Sequence, residues 1–152
     1  MLAVPAGMIL VAAVIAAGPA NALDTTGYTG PIVANGGLCL DDQGARTANF
    51  NPIQLYVCNG TNAQTWTLGA DNTIRGMGKC IDIQNGAHAA GTLVELYDCN
   101  GTGAQVWLPQ SNGSFRNPQS DKCLDDSGAA ANGENQAQIW ECDGATSELF
   151  TY

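Results

Sequence analysis

Asp41, Asp82 and Asp125 each follow a cysteine by two residues, and an aromatic side chain, Tyr56, Tyr97 or Trp140, precedes the next cysteine by two. An ionised carboxylate accepts from two neighbouring hydroxyls at once, and such charge-assisted hydrogen bonds are stronger than neutral ones. A flat aromatic covers a patch of C–H groups at small entropic cost, because only two side-chain bonds must be fixed. Together the two groups suit a small ring with C–H groups on one face and hydroxyls around its edge. Asn59, Asn100 and Asp143, directly after the second cysteine, add a possible polar contact. Each type also has a plainer use: Asp and Asn cap turns, and an aromatic fits any strand. Spacing alone leaves both uses open.

These residues belong to a longer internal repeat. Its first copy contains Gly37-Leu38-Cys39-Leu40-Asp41, Ile53-Gln54-Leu55-Tyr56-Val57-Cys58-Asn59-Gly60-Thr61 and Gln64-Thr65-Trp66. The second contains Gly78-Lys79-Cys80-Ile81-Asp82, Val94-Glu95-Leu96-Tyr97-Asp98-Cys99-Asn100-Gly101-Thr102 and Gln105-Val106-Trp107. The third contains Asp121-Lys122-Cys123-Leu124-Asp125, Ala137-Gln138-Ile139-Trp140-Glu141-Cys142-Asp143-Gly144 and Glu148-Leu149-Phe150. The landmarks recur at offsets of 41 and then 43 residues, a register that chance does not produce. A fixed period of this length signals a repeated supersecondary unit.

The elements that position these residues are short strands. Cys39-Leu40-Asp41 and Ile53-Gln54-Leu55-Tyr56 alternate apolar and polar side chains, the period of a strand. Asn-Gly pairs at 35–36, 59–60, 85–86, 100–101, 112–113 and 132–133 mark tight turns, because both residues tolerate positive φ. No stretch after residue 23 sustains a helical apolar stripe, so the domain is predicted to be nearly all β. Three such units could stack in a line or close into a ring. A line needs polar caps at both ends, whereas Phe150 is still in the pattern near the C-terminus. A closed, three-lobed domain is expected, because closure removes exposed strand edges.

Residues 1–22 differ in kind from the rest. They carry no charge, hold the apolar run Met8 to Ala17, and end in Ala20-Asn21-Ala22. The run is shorter than the roughly 20 residues a spanning helix needs. It reads as a secretory signal cleaved after Ala22, although no Lys or Arg precedes it. The mature chain from Leu23 holds all 14 acidic and 5 basic residues, a net charge of −9. That excludes nucleic acid, whose phosphates need a basic face, and disfavours anionic membranes after signal cleavage. Six cysteines in an exported chain read as a disulfide framework, and they fall in three pairs, each 19 residues apart. Close C-x-x-C pairs of the zinc type are missing, so no metal and no cofactor is expected.

The threefold set of Cys-Leu-Asp, Gln-Leu-Tyr-x-Cys and Gln-x-Trp motifs resembles the ricin B-chain-type lectins and the family-13 carbohydrate-binding modules of bacterial glycanases. The resemblance covers about residues 27–152. It implies a β-trefoil with four strands per lobe, lobes at about 30–69, 70–110 and 111–152, and one sugar site in each. It also implies a disulfide inside each lobe, Cys39–Cys58, Cys80–Cys99 and Cys123–Cys142. By the same resemblance Tyr56, Tyr97 and Trp140 stack on sugar, and Asp41, Asp82 and Asp125 bind its hydroxyls. The resemblance also implies that Gln64 and Gln105 help fix the site through a hydrogen bond. Trp66, Trp107 and Phe150 read as core on their own account, because large aromatics bury much area and can fill a closed barrel's interior. Two departures stand out. Many members carry Asn just before the Gln of Gln-x-Trp as a direct ligand, where this chain has Ala63, Ala104 and Ser147. Glu148 replaces the third Gln, so the first two lobes are expected to matter most. Gln54 and Gln138 contrast with Glu95, so the lobes need not bind alike.

The expected function is non-catalytic carbohydrate binding by a secreted, extracellular monomer, with galactose-containing glycans, xylan or β-glucan as candidate ligands. A glycoside hydrolase would need one asymmetric pair of carboxylates across a cleft, whereas the acids singled out here recur threefold. A trefoil that binds a protein partner is the alternative of another class. His88, the only histidine, has no evident paired nucleophile and reads as a loop residue. The Asn-Gly-Thr and Asn-Gly-Ser triplets at Asn59, Asn100 and Asn112 also match the glycosylation pattern.

Overall fold

A computed structural model describes residues 25–128 and 133–152. The expected leader, residues 1–22, and the Asn132 member of the last Asn-Gly pair lie outside them.

The first repeat forms β1 (Thr29–Gly30), β2 (Val33–Ala34), β3 (Leu38–Asp42), β4 (Asn51–Val57) and β5 (Trp66–Leu68). The second forms β6 (Ile74–Gly76), β7 (Lys79–Ile83), β8 (Val94–Tyr97) and β9 (Leu108–Pro109). The third forms β10 (Phe115–Asn117), β11 (Lys122–Asp126), β12 (Asn135–Glu141) and β13 (Phe150–Thr151). This is a β-trefoil. Each lobe has four strands once β1 and β2 are taken as one, interrupted at Pro31, which has no N–H for a ladder. The only helical geometry among the described residues is in short 3-10 turns, such as 62–64, 103–105 and 146–148.

The outer strands of each lobe make a barrel. β1 pairs with β5, β5 with β6, β9 with β10, and β13 with β2. Backbone hydrogen bonds close the two remaining joints: Trp107 N–H donates to Asn72 O at 2.7 Å, and Phe150 N–H to Gly113 O at 3.0 Å. The middle strands form three hairpins, β3–β4, β7–β8 and β11–β12. These cap the barrel by pairing with one another, β4 with β8, β12 with β4, and β8's neighbour Leu93 with Gln138 of β12.

Side chains of successive strand residues point to opposite faces, and this period sorts core from site. Leu40, Ile81 and Leu124 point inward from the first hairpin strands, and Leu55, Leu96 and Ile139 from the second; all six are fully buried. Trp66, Trp107 and Phe150 join them in one cluster with Ile32, Ile74 and Phe115. The residues on either side of the inward leucines and isoleucines necessarily face the other way.

Candidate functional sites, one per lobe

Those outward residues are the ones singled out by the repeat. Across the three hairpins the register pairs Asp41 with Gln54, Asp82 with Glu95 and Asp125 with Gln138. One step of two along, Cys39 faces Tyr56, Cys80 faces Tyr97 and Cys123 faces Trp140. Aspartate and aromatic therefore share the outer face of every hairpin. The second cysteine lies just past each aromatic and bonds back to the first: Cys39–Cys58, Cys80–Cys99 and Cys123–Cys142, with Cα–Cα distances of 5.0, 5.1 and 5.1 Å. Each disulfide ties the turn after the aromatic to the strand that carries the aspartate.

The Gln-x-Trp motif grips that same strand at two adjacent residues. Trp66 Nε1 donates to Leu40 O at 2.8 Å, and Gln64 Nε2 donates to Asp41 Oδ2 at 2.9 Å. Gln64 Nε2 also reaches Val57 O at 3.0 Å, while its Oε1 accepts from Asn59 N–H at 2.8 Å. The second lobe repeats the arrangement. Trp107 Nε1 donates to Ile81 O at 3.1 Å, Gln105 Nε2 to Asp82 Oδ2 at 2.7 Å and to Asp98 O at 2.9 Å, and Gln105 Oε1 accepts from Asn100 N–H at 2.9 Å. Gln64 and Gln105 are buried, so these bonds form away from competing water. The glutamine thus orients the aspartate and the following turn together.

In the third lobe Glu148 keeps half of this role. Its carboxylate accepts from Asp143 N–H at 3.4 Å and Gly144 N–H at 3.1 Å, but it has no amide N–H to offer Asp125. Burial, chiefly, pushes its carboxyl pKa up, with the charges of Asp143 and Asp125 adding to the rise against its backbone hydrogen bonds.

The second contact to each aspartate comes from across the hairpin. Gln54 Nε2 donates to Asp41 Oδ1 at 2.9 Å, and Gln138 Nε2 to Asp125 Oδ2 at 2.7 Å. Glu95 takes this place in the second lobe and is held instead by Gln84 Nε2 at 3.1 Å. Burial raises the carboxyl pKa of both Asp82 and Glu95; the charge of Asp82 raises Glu95 further. Every carboxylate oxygen has two lone pairs, so aspartates bound once per oxygen can still accept a hydroxyl.

Asn59, Asn100 and Asp143 close turns: their Oδ1 atoms accept from Thr61, Thr102 and Ala145 N–H at 3.1, 3.0 and 2.8 Å. Thr61 and Thr102 hydroxyls add a bond of 2.7 Å to the same oxygen. The Nδ2 groups of the two asparagines are not needed for the turn.

A cleft of about 440 Å³ opens over the first of these constellations, lined by Asp41, Gln54, Tyr56, Asn59, Ala63 and Glu134. One of about 470 Å³ opens over the second, lined by Asp82, Glu95, Tyr97, Asn100, Ala104 and Phe50 among others. Tyr56 and Tyr97 are half-buried, and Trp140 is exposed. Ala63 and Ala104 form part of the lining, at the position directly before Gln64 and Gln105. Phe50 and Glu134 are among the lining residues that the repeat did not single out. Each directly precedes a long hairpin strand of a different lobe, and their matching offsets are the signal that could have found them.

Comparison with known proteins agrees with the fold. Residues 28–150 match the family model described as ricin-type beta-trefoil lectin domain. Over 103 residues, 67% of this chain, the sequence is 58% identical to a glucan endo-1,3-beta-glucosidase of Cellulosimicrobium cellulans. The chain spans only 19% of that relative's length. Among solved structures, the agglutinin from Abrus precatorius superposes with a TM-score of 0.75 at 29% identity, covering 85% of this chain and 50% of the agglutinin. A non-toxic homologue of type II RIPs from bitter gourd (Momordica charantia), in complex with alpha-methyl-D-galactoside, gives 0.72 at 27% identity, covering 83% of this chain and 47% of that one.

Proposed function

The chain belongs to the ricin-type beta-trefoil lectin domain family, and from that premise we propose that it binds carbohydrate without catalysis, through up to three weak sites. The observation that carries this reading is the threefold pairing of an aspartate with an outward aromatic on one hairpin face, above a buried glutamine or glutamate that orders the adjoining turn. Tyr56, Tyr97 and Trp140 stack on the sugar, and Asp41, Asp82 and Asp125 accept its hydroxyls. Gln54, Glu95, Gln138, Asn59, Asn100 and Asp143 border the sites, while Gln64 and Gln105 hold them in shape.

Galactose-containing glycans and β-1,3-glucan are the first ligands to test, with xylan third. The galactoside-bound relative supports the first and the glucanase relative the second. With that relative, the role is to hold a polysaccharide rather than to cut it, and the sites support this because their carboxylates recur threefold instead of forming one acid/base pair. Three disulfides support an oxidising, extracellular setting, as a secreted monomer.

The test is a glycan array together with pull-down on insoluble β-1,3-glucan and xylan. Retention on one class, reversed by the matching soluble sugar and without product release, is expected. Binding to none of them, or turnover that vanishes with a single carboxylate, would overturn the proposal.

A further inference from the structure

Each candidate site has beside its aromatic one residue delivered by another lobe, and the three are equivalent. Phe50 N–H donates to Leu96 O at 2.9 Å, Gly91 N–H to Ile139 O at 2.8 Å, and Glu134 N–H to Leu55 O at 2.8 Å. In each case the acceptor is the residue just before the aromatic, Tyr97, Trp140 or Tyr56. All three donors have positive φ, 66°, 85° and 70°. The ring of hairpins therefore seats Phe50 of the first lobe against the second site and Glu134 of the third lobe against the first. Gly91 of the second lobe lies against the third site, where a Cβ would stand 3.7 Å from the Trp140 ring.

Glycine adopts this conformation freely, whereas a bulky side chain there is a rare outlier. Phe50 occupies it all the same, with 65% of its surface exposed. Burial does not explain such a residue, and strained backbone of this kind concentrates at functional sites. Its ring meets Tyr97 edge to face, with centroids 5.2 Å apart and planes at 70°, and it lines the second cleft. With the planes at 70° the two rings make an angled apolar surface, and Phe50 extends it within the same cleft beyond the footprint of Tyr97.

We propose that Phe50 is a second sugar-contacting aromatic of the Tyr97 site, so that this cleft takes a chain of at least two linked sugar units. The first and third sites, flanked by Glu134 and Gly91, take one. This rests on the carbohydrate-binding reading above and adds a length preference to one lobe.

The experiment isolates the second site with Tyr56→Ala and Trp140→Ala in the full chain. Calorimetry then compares glucose with laminaritetraose, galactose with β-1,4-galactotetraose, and xylose with xylotetraose. For the sugar class that binds, the tetrasaccharide is tighter than its monomer by about three- to tenfold, the scale of one aromatic contact. Phe50→Gly lowers that ratio toward one, and Gly91 shows that the backbone accommodates glycine there. Reciprocally, Glu134→Phe on a Tyr97→Ala, Trp140→Ala background raises the ratio at the first site. A ratio near one before mutation, a ratio insensitive to Phe50→Gly, or equal losses for both sugars overturns the proposal while leaving the sugar site standing. Binding that survives further removal of Tyr97 overturns the placement of the site, and with it the proposal, whereas no binding to any probe overturns the carbohydrate reading itself.

Discussion

Gln54 donates its amide to Asp41 across the first hairpin at 2.9 Å, whereas the same place in the second hairpin holds Glu95, opposite Asp82. A donor has been replaced by a second carboxyl. Both groups are buried, and burial raises the pKa of each. The first and second lobes thus differ in chemistry at an equivalent register position.

Glu95→Gln should therefore stabilise the domain near neutral pH, by about 1 kcal/mol if the new amide donates to Asp82 as Gln54 does to Asp41. The pH dependence has a definite sign. A carboxyl whose folded pKa is raised binds protons more readily in the folded state, so stability is full below its ordinary unfolded value. It is lost as pH rises through the raised folded value. The advantage of Glu95→Gln should therefore shrink as pH falls from the raised folded value to the ordinary glutamate range, and stay at its smallest below it. Urea melts from acid to neutral pH check this; an advantage that grows in acid would contradict it.

Trp66→Ala should cost about 3–5 kcal/mol, the range for deleting a large buried aromatic. It would also leave Leu40 O without its indole donor, one residue from Asp41. Denaturant unfolding measures the loss. A variant of near wild-type stability would show that Trp66 is not a core residue.

The within-lobe disulfides should appear in peptide maps made without reduction. Each spans a sequence separation of 19, for which the chain-entropy model gives about 3 kcal/mol. Replacing Cys80 and Cys99 together by serine should lower stability by that order. Cross-lobe pairs in the map would contradict the lobe assignment.

Secreted protein should begin near Leu23, as intact mass would reveal. A membrane-retained species that still carries Met1 would contradict the leader reading.

Much of this architecture could be read from the chain because its signals are local. Leu40 between Cys39 and Asp41, and Leu55 between Gln54 and Tyr56, specify which face is core by the strand period alone. Trp66 and Trp107 were readable as core for the same reason, being large apolar residues at one fixed place in the repeat. Turn chemistry was readable only in part. Asn85-Gly86 takes positive φ at both residues, but at 59–60, 100–101 and 112–113 only the glycine does, and after Asn35-Gly36 it is Gly37. The asparagine side chain often works instead as a turn acceptor, as Asn59 and Asn112 do. Glu148 looked like a lost glutamine; the fold shows that a carboxylate still satisfies the turn N–H groups and loses only the donor half. Phe50 and Glu134 are brought to their sites by backbone hydrogen bonds between lobes, which have no side-chain signature, so their matching offsets are the one trace they leave in the chain.

The central claim is that sugar binds on the aromatic faces of the three hairpins. Calorimetry with the sugar class retained in pull-down, as monomer and as polymer, tests it on Tyr56→Ala, Tyr97→Ala, Trp140→Ala and the triple variant, with melting curves alongside. Each single change should weaken polymer binding more than monomer binding, because linked weak sites reinforce one another. The triple variant should lose binding while melting as the wild type does, since these side chains face outward from the core. A triple variant that binds both sugars like the wild type would contradict the account.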